Sequence, residues 1–400
     1  MQVFRQFTVI DPAGPYHDRT VDIHVEAGKI AAIGENLAVP KGSSVYTGGG
    51  THVSPGWLDL GPYVGDPGRE EREDLTSLAR AGGVGGYTSL AILPNTHPPV
   101  TDKASVRYVR TQSGAEGVEL LPLGAISQGT AGKDLAELID MHRAGAPAFT
   151  DGKKPAADAG LLLRALDYVR TFDGVVINQP LDASLAPDGQ IHEGIVSTRL
   201  GMTGIPTVSE TIMLERDLRL LAYSGSRLHV HLLSTAEGVE LVRQAKRNGL
   251  RVTASAAVLN LAFTVKELAD FNPNFKVSPP LRSEKDRLAL IAGVADGTID
   301  CVCSNHQPRE PEAKALEFPY ADFGAAGLET AFGLAWSTLR SHLPLARLID
   351  ALTAAPRRCL QLPALHLAPD SPAAFTLFDP DSEWTVALAH LRSKSHNNPL

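Results

Sequence analysis

The feature that most constrains the fold is an alternation of short apolar runs with longer helical ones, sustained from residue 54 to residue 365. "YTSLAIL" precedes "DKASVRYVRTQSG", "GVELLPLGAIS" precedes "KDLAELIDMHRAG", "PAFT" precedes "AGLLLRALDYVRTF", and "GVVIN" precedes "HEGIVSTRLG". "RLHVHLLS" then leads into "AEGVELVRQAKRNG", "RVTASAA" into a loop and "EKDRLALIAGVADG", and "IDCVCSN" into "AAGLETAFGLAWSTLRSHL". Short continuous apolar runs suit strands buried on both faces, and the longer periodic segments suit helices that cover them. The repeat predicts an α/β fold, a (β/α)8 TIM-like barrel over residues 54–365, in which the C-terminal strand ends share one mouth.

The flanks read differently. "VDIHVEAGKIAAIG" alternates apolar and polar residues, with Gly28 in a turn and Gly34 closing the unit. The tail "AAFTLFDP" has the same character. Together they predict a composite β-sandwich domain built from residues 1–53 and 366–400. No apolar run approaches the roughly 20 residues a membrane helix needs. "MQVFRQFTVIDPAG" lacks the basic-then-apolar order of a signal peptide, so the expected location is cytoplasmic. A net charge of −8 with no long basic run argues against a nucleic-acid partner. Cys301, Cys303 and Cys359 cannot make a disulfide framework, and Cys301 and Cys303 read as small buried hydrophobes on one strand face.

The motifs "VSPGWLDL", "LPNTHPP", "AFTDGKKPAADAGLLLRAL", "HEG", "NPNFKVSPPLRSEKDR", "FGAAGLETAFGL" and "RRCLQLPAL", in this order, carry a resemblance to the amidohydrolase superfamily and, within it, to the dihydroorotases. The likeness runs over nearly the whole chain. It implies a barrel whose mouth holds zinc and interconverts carbamoyl aspartate and dihydroorotate. Zinc is needed because a cyclic amide resists water at neutral pH. The ion brings its bound water's pKa toward about 7 and polarises the carbonyl, and a nearby Asp moves the proton.

Set against that family, the ligand positions are depleted. The first strand should end in His-x-His; here it has Gly61 and Tyr63, and Gly65 stands where an arginine pairs with substrate. Tyr63 reads as a plug for the vacated site or as a packed loop aromatic. Asp151 matches the carboxylate that bridges the metals, although alone it also reads as a turn Asp bonded to backbone. Asn178 and Leu232 replace two further histidines. His229 and His231 share a strand face, and a displaced two-histidine site there needs a one-residue register shift. Asn305 replaces the Asp that should bind metal and carry the proton, and an amide cannot do that near neutral pH. Leu259 and Asn260 fill two more histidine positions. Asp151 is thus the single retained ligand of six, and the mixed replacements suit a site with no metal to hold rather than one adapted to another metal.

Asn95, Arg282 and His306 match family positions near substrate, and form the expected residual pocket. Arg282 also reads as part of a structural ion pair, His306 as a hydrogen-bonded mouth histidine, and Glu329 as a carboxylate opening a helix. The resemblance is nearest to the noncatalytic dihydroorotase-like partner of aspartate transcarbamoylase. The expectation is therefore a metal-free, inactive homologue that scaffolds that enzyme and itself forms a homo-oligomer. Two alternatives stand beside it. One is an active dihydroorotase or related cyclic-amide hydrolase with zinc in an unusual arrangement using Asp151, His306 and a mobile histidine. The other is a sensor that binds carbamoyl aspartate or dihydroorotate without turnover.

Overall fold

The computed structural model describes residues 1–114 and 116–400. The chain begins with β1 (Gln2–Val9), β2 (Thr20–Glu26), β3 (Lys29–Gly34), β4 (Ser44–Thr47) and β5 (His52–Pro55). Ala27 and Gly28, both at positive φ, make the tight turn between β2 and β3 that the right-handed strand twist favours. The chain continues through β6 (Trp57–Leu60), α1 (Leu75–Val84), β7 (Tyr87–Ile92), α2 (Lys103–Thr111), β8 (Glu119–Pro122), α3 (Leu138–Ala144), α4 (Ala159–Arg170) and β9 (Val176–Asn178). Next come β10 (Ile191–His192), α5 (Ile195–Leu200), β11 (Gly204–Ile205), α6 (Val208–Ser224), β12 (Leu228–Val230), α7 (Ala236–Arg247), β13 (Val252–Ala257), α8 (Val258–Ala262) and α9 (Glu284–Asp296). It ends with β14 (Cys301–Cys303), α10 (Pro311–Lys314), α11 (Ala331–Leu339), α12 (Leu345–Leu352), α13 (Ala354–Cys359) and β15 (Phe375–Phe378).

The terminal strands form one six-stranded sheet in the order β15-β5-β1-β2-β3, with β4 also on β1. β15 runs antiparallel to β5, so both chain ends share this sheet. Phe7, Val9, Ile23, Ile30, Val53 and Leu367 fill its core. A single sheet stands where a sandwich was expected. The tail contributes only the four residues of β15, too little for a second layer, and residues 392–398 leave to bind the loops around β6 and β14.

β6, β7 and β8 pair in parallel, as do β9, β12, β13 and β14. Phe149 joins the two groups through single parallel bridges to Gly124 and Val176. The predicted "PAFT" strand shrinks to that residue because Pro147, at its start, has no N–H to give a ladder. The parallel positions thus run β6, β7, β8, Phe149, β9, β12, β13, β14. Among the described residues no backbone ladder closes β14 onto β6. Side chains span that seam, with Ser304 donating its N–H (2.9 Å) and its hydroxyl to the buried Asp59 carboxylate. Leu58, Leu60, Leu93, Leu123, Ile177, Cys301 and Cys303 pack inside, and α13 closes one end through Ala355 and Cys359.

The helices start where side chains satisfy their first amides. Asp74, Asp102, Asp158, Thr235 and Ser283 cap α1, α2, α4, α7 and α9. Gly225 and Gly297, at positive φ, end α6 and α9. The predicted crossover helix in "HEGIVSTRLG" is only the six-residue α5. The 17-residue α6 is the element that packs between α4 and α7.

Candidate functional site

The strand ends β6, β9, β12 and β14 place the resemblance-derived positions around one mouth, and each is engaged by the protein itself. Gly61 ends β6 at φ +89°, its N–H donated to Ala91 O (2.9 Å). A Cβ there would begin 2.5 Å from His231 Nε2, so the imidazole from β12's end occupies the space a side chain at 61 would need. His231 is buried, with Nδ1 3.0 Å from Ser255 Oγ. His229 Nε2 lies 3.1 Å from the same hydroxyl, and His229 Nδ1 2.9 Å from Thr253 Oγ1. Burial, then the neighbouring His229, pushes the His231 pKa down to about 3, so its ring is neutral. The two histidines therefore serve a hydroxyl-linked network in the native strand register.

Tyr63 is buried and donates its N–H to His306 O (2.9 Å). The Lys153 ammonium stands 3.3 Å from the centre of its ring. Burial pushes the Lys153 pKa well below the usual amine range, and the Arg309 and Arg72 charges push the same way. Gly65 is fixed by its own loop. Arg69 donates to Gly65 O (2.7 Å), and a Cβ at 65 would lie 1.9 Å from Arg69 O. No arginine side chain fits that turn.

The Asp151 carboxylate accepts the Ser127 N–H (2.9 Å) and the Ser127 hydroxyl (2.5 Å). Burial raises its pKa and these bonds offset part of the rise. Asn178 Oδ1 accepts from Ala156 N (2.9 Å), and its Nδ2 donates to Asp217 (2.6 Å). Asp217 is pushed up to about 6 by burial, against the pull of Arg216. Leu232 is buried at φ +58° with its N–H on Ser255 Oγ (3.1 Å). Asn305 donates to Ser278 O (3.1 Å) and accepts from Gln307 Nε2 (3.1 Å). Asn260 donates to Pro280 O (3.0 Å), and Leu259 is core.

The three residues expected to form a residual pocket each have protein partners of their own. Asn95 lies at a cavity of about 450 Å³ together with Tyr63, Arg69, Thr96 and His97. Its own amide is occupied by Asp151 O and Lys153 N, both at 3.0 Å. Arg282 is buried, donating to Ser234 Oγ (3.1 Å) and Ile205 O (2.6 Å). Among the described residues it makes no direct ion pair. The Glu210 carboxylate is the charge that most offsets its burial, and accepts from the N–H and hydroxyl groups of Ser234 and Thr235. His306 faces inward, with Nδ1 accepting long bonds from Gly327 N (3.3 Å) and Leu328 N (3.4 Å) and Nε2 3.5 Å from the buried Glu73 carboxylate. The C-terminal strap covers that pair. Ser393 donates its hydroxyl, and Lys394 its N–H (3.2 Å), to Glu73. Glu329 precedes α11 and anchors the same strap, accepting from Arg392 N (2.6 Å) and Ser393 N (3.1 Å).

Zinc takes nitrogen, sulfur or carboxylate donors in a tetrahedron. The six positions offer a glycine, a leucine, two committed amides, a tyrosine beneath an amine, and one carboxylate already bound to Ser127. Among the described residues no three His, Cys, Asp or Glu side chains are placed to hold a metal ion. The donor set does not fit zinc. Sequence reasoning overlooked Ser127, Lys153, Glu73 and Ser255. "DGKKP" at least signals an amine beside Asp151, whereas nothing local marks the other three.

Parallel strands with covering helices, ligand positions at the strand ends and a sheet built from both chain termini define an amidohydrolase-type α/β protein. The same fold is present in an L-hydantoinase (dihydropyrimidinase) from Arthrobacter aurescens, with TM-score 0.85, 23% identity, and coverage of 98% of this chain and 90% of that one. A D-hydantoinase (dihydropyrimidinase) from Thermus sp. matches at TM-score 0.81 and 18% identity, over 100% of this chain and 91% of that one. In sequence, residues 50–238 match the family model described as dihydro-orotase-like. The dihydroorotase of Pelotomaculum thermopropionicum is 40% identical, across 98% of this chain and 92% of that protein. That of Anaeromyxobacter dehalogenans is 39% identical, across 98% and 91%. The chain belongs to the dihydroorotase-like family.

Proposed function

We propose that this protein is a dihydroorotase homologue that no longer hydrolyses or closes the dihydroorotate ring, and that it acts in pyrimidine synthesis in the cytoplasm as a noncatalytic partner of aspartate transcarbamoylase. In this reading the eight parallel positions are a (β/α)8 barrel kept as a scaffold. The observation that carries the loss of chemistry is His231 Nε2 standing where a side chain at Gly61 would begin. A ligand position that has merely mutated leaves room for its ligand, and this one is filled. The lost proton carrier points the same way, since Asn305 is neutral and bonded on both sides. The partner role rests on the sequence resemblance. A barrel without chemistry has to serve through its surface, because fold alone does not supply function.

The test is metal content by mass spectrometry on protein purified without chelators, with dihydroorotase turnover measured on the same sample with and without added zinc. Less than about 0.1 zinc per chain with no turnover, followed by co-purification with aspartate transcarbamoylase, is the expected result. Stoichiometric zinc with turnover refutes it. The cavity at Asn95 and Arg69 favours a second reading, a sensor for carbamoyl aspartate or dihydroorotate. That reading predicts a rise in melting temperature with ligand, following RT ln(1 + [L]/Kd), and no turnover.

A further inference from the structure

α6 turns one stripe away from the barrel. Val208, Ile212, Glu215, Arg219, Ala222 and Tyr223 are exposed along it, while Thr211, Leu214, Leu218 and Leu221 are buried beneath. Ile212 is 50% and Tyr223 80% exposed. Among the described residues no other helix exposes more than one large apolar side chain. Two more exposed apolar side chains lie on segments joined to the start of α6. Leu185 lies in the turn held to α6 by Asp182 N–Ser209 O (2.7 Å), and Ile195, 71% exposed, opens α5, which β11 connects to α6.

The order of chemistry along the stripe is apolar, acidic, basic, apolar. Place a second α6 antiparallel to the first, with a two-fold axis level with Asp217. Residue i then faces residue 434 − i, so 215 meets 219 and 212 meets 222. Glu215 meets Arg219 of the second copy, the reverse pair forms by symmetry, and Ile212 lies against Ala222 and Tyr223 of the second copy. An isologous contact requires this property, a patch complementary to its own rotated image. Within one chain Glu215 and Arg219 only graze each other at 4.0 Å and are 49% and 85% exposed, so both charges are free for such pairing.

We propose that the α6 stripe is a homodimer interface, in which two copies pack α6 against α6 antiparallel about a two-fold axis. The 17-residue helix is about 25 Å long, and one helix face covers only part of the ~800 Å² per partner that a stable interface buries. Leu185 and Ile195 are further exposed apolar side chains on the segments that lead into α6. The dimer is accordingly concentration-dependent. This inference stands apart from the catalytic reading, since α6 carries none of the six ligand positions.

Sedimentation velocity on the full chain from about 1 to 100 µM tests it, with circular dichroism confirming that each variant is folded. Wild type should shift from monomer to dimer across that range. Glu215→Arg or Arg219→Glu places like charges face to face at two symmetric points and should weaken association by roughly 10-fold or more. The double variant Glu215→Arg/Arg219→Glu restores both cross-pairs and should return to within about threefold of wild type, and Ile212→Glu should be monomeric. A wild type that stays monomeric throughout overturns the proposal, including where this face proves to bind another protein. A dimer indifferent to all the variants overturns it, and single variants that the double one does not rescue overturn the antiparallel register.

Discussion

If His231 fills the space above Gly61, then adding one carbon at position 61 should be costly, and the cost should depend on His231. Gly61 sits at φ +89°, where an L residue loses about 1–2 kcal/mol against the right-handed regions. The new Cβ would also stand 2.5 Å from His231 Nε2 and 2.8 Å from its Cε1. The imidazole has to withdraw, and its bond to Ser255 Oγ at 3.0 Å is then stretched or lost, worth about 0.5–1.5 kcal/mol. Gly61→Ala should therefore destabilise by about 2–3 kcal/mol, read as a lower urea midpoint at unchanged slope. In a His231→Ala background the space is open and only the backbone term remains, so the same substitution should cost about 1–2 kcal/mol. The difference is a coupling of roughly 1 kcal/mol between two residues on different strands. A Gly61→Ala protein within about 0.5 kcal/mol of wild type, or strict additivity in the cycle, refutes the claim that the site is closed. The larger Gly61→His should fare worse and take up no zinc.

Three further outcomes follow from the buried polar groups. Glu210 accepts four hydrogen bonds from Ser234 and Thr235 and compensates the buried Arg282, so Glu210→Ala should cost about 3–5 kcal/mol in urea denaturation. His231 titrates near 6.5 when unfolded but only at about 3 when folded, so the unfolded chain binds the extra proton first. Stability should fall as pH drops below 6.5, and His231→Gln should remove up to about 5 kcal/mol of that fall by pH 3, taking 1.36 kcal/mol per pH unit. A variant with the same acid profile as wild type would contradict a neutral buried ring. Cys301, Cys303 and Cys359 are all buried and unbridged, so Ellman's reagent should titrate none of them in the native state and three in urea.

Much of the fold was legible because buried parallel strands read as apolar runs separated by helical ones, and that signal survives without knowing which strands touch. Where it failed, one residue's chemistry decided. Pro147 reduced a predicted strand to Phe149, and the tail beyond β15 went to the loops around β6 and β14 because Glu73 and Glu329 accept its amides. α6 was missed because its pattern is inverted at several points. Glu210 and Asp217 are buried while Ile212 and Tyr223 are exposed, so the periodic signal of an amphipathic helix is blurred. The departure from the family's ligands could be read position by position. What replaced them could not, since His231 over Gly61, Lys153 on Tyr63 and Ser127 on Asp151 each join residues from different strands and loops. For the same reason the separate partners of Asn95, Arg282 and His306 could not be read from their motif positions.

These residues bear on what installing the family's ligands would take. A site that had only drifted would hold unsatisfied donors around a void, and one or two back-substitutions would recover metal. Here each position is tied to a different buried partner, and restoring one ligand breaks a bond elsewhere without supplying a second. Asn305→Asp shows the difficulty. The new carboxylate would face Ser278 O at 3.1 Å, acceptor against acceptor, with Gln307 as its one remaining donor. A buried group losing its partner costs about 1–3 kcal/mol, and a charged one more. A carboxylate placed there is driven toward its neutral form and could not serve as a base. Zinc affinity depends on several donors acting together, so it would return only after multiple coordinated changes, each unfavourable until the last is made.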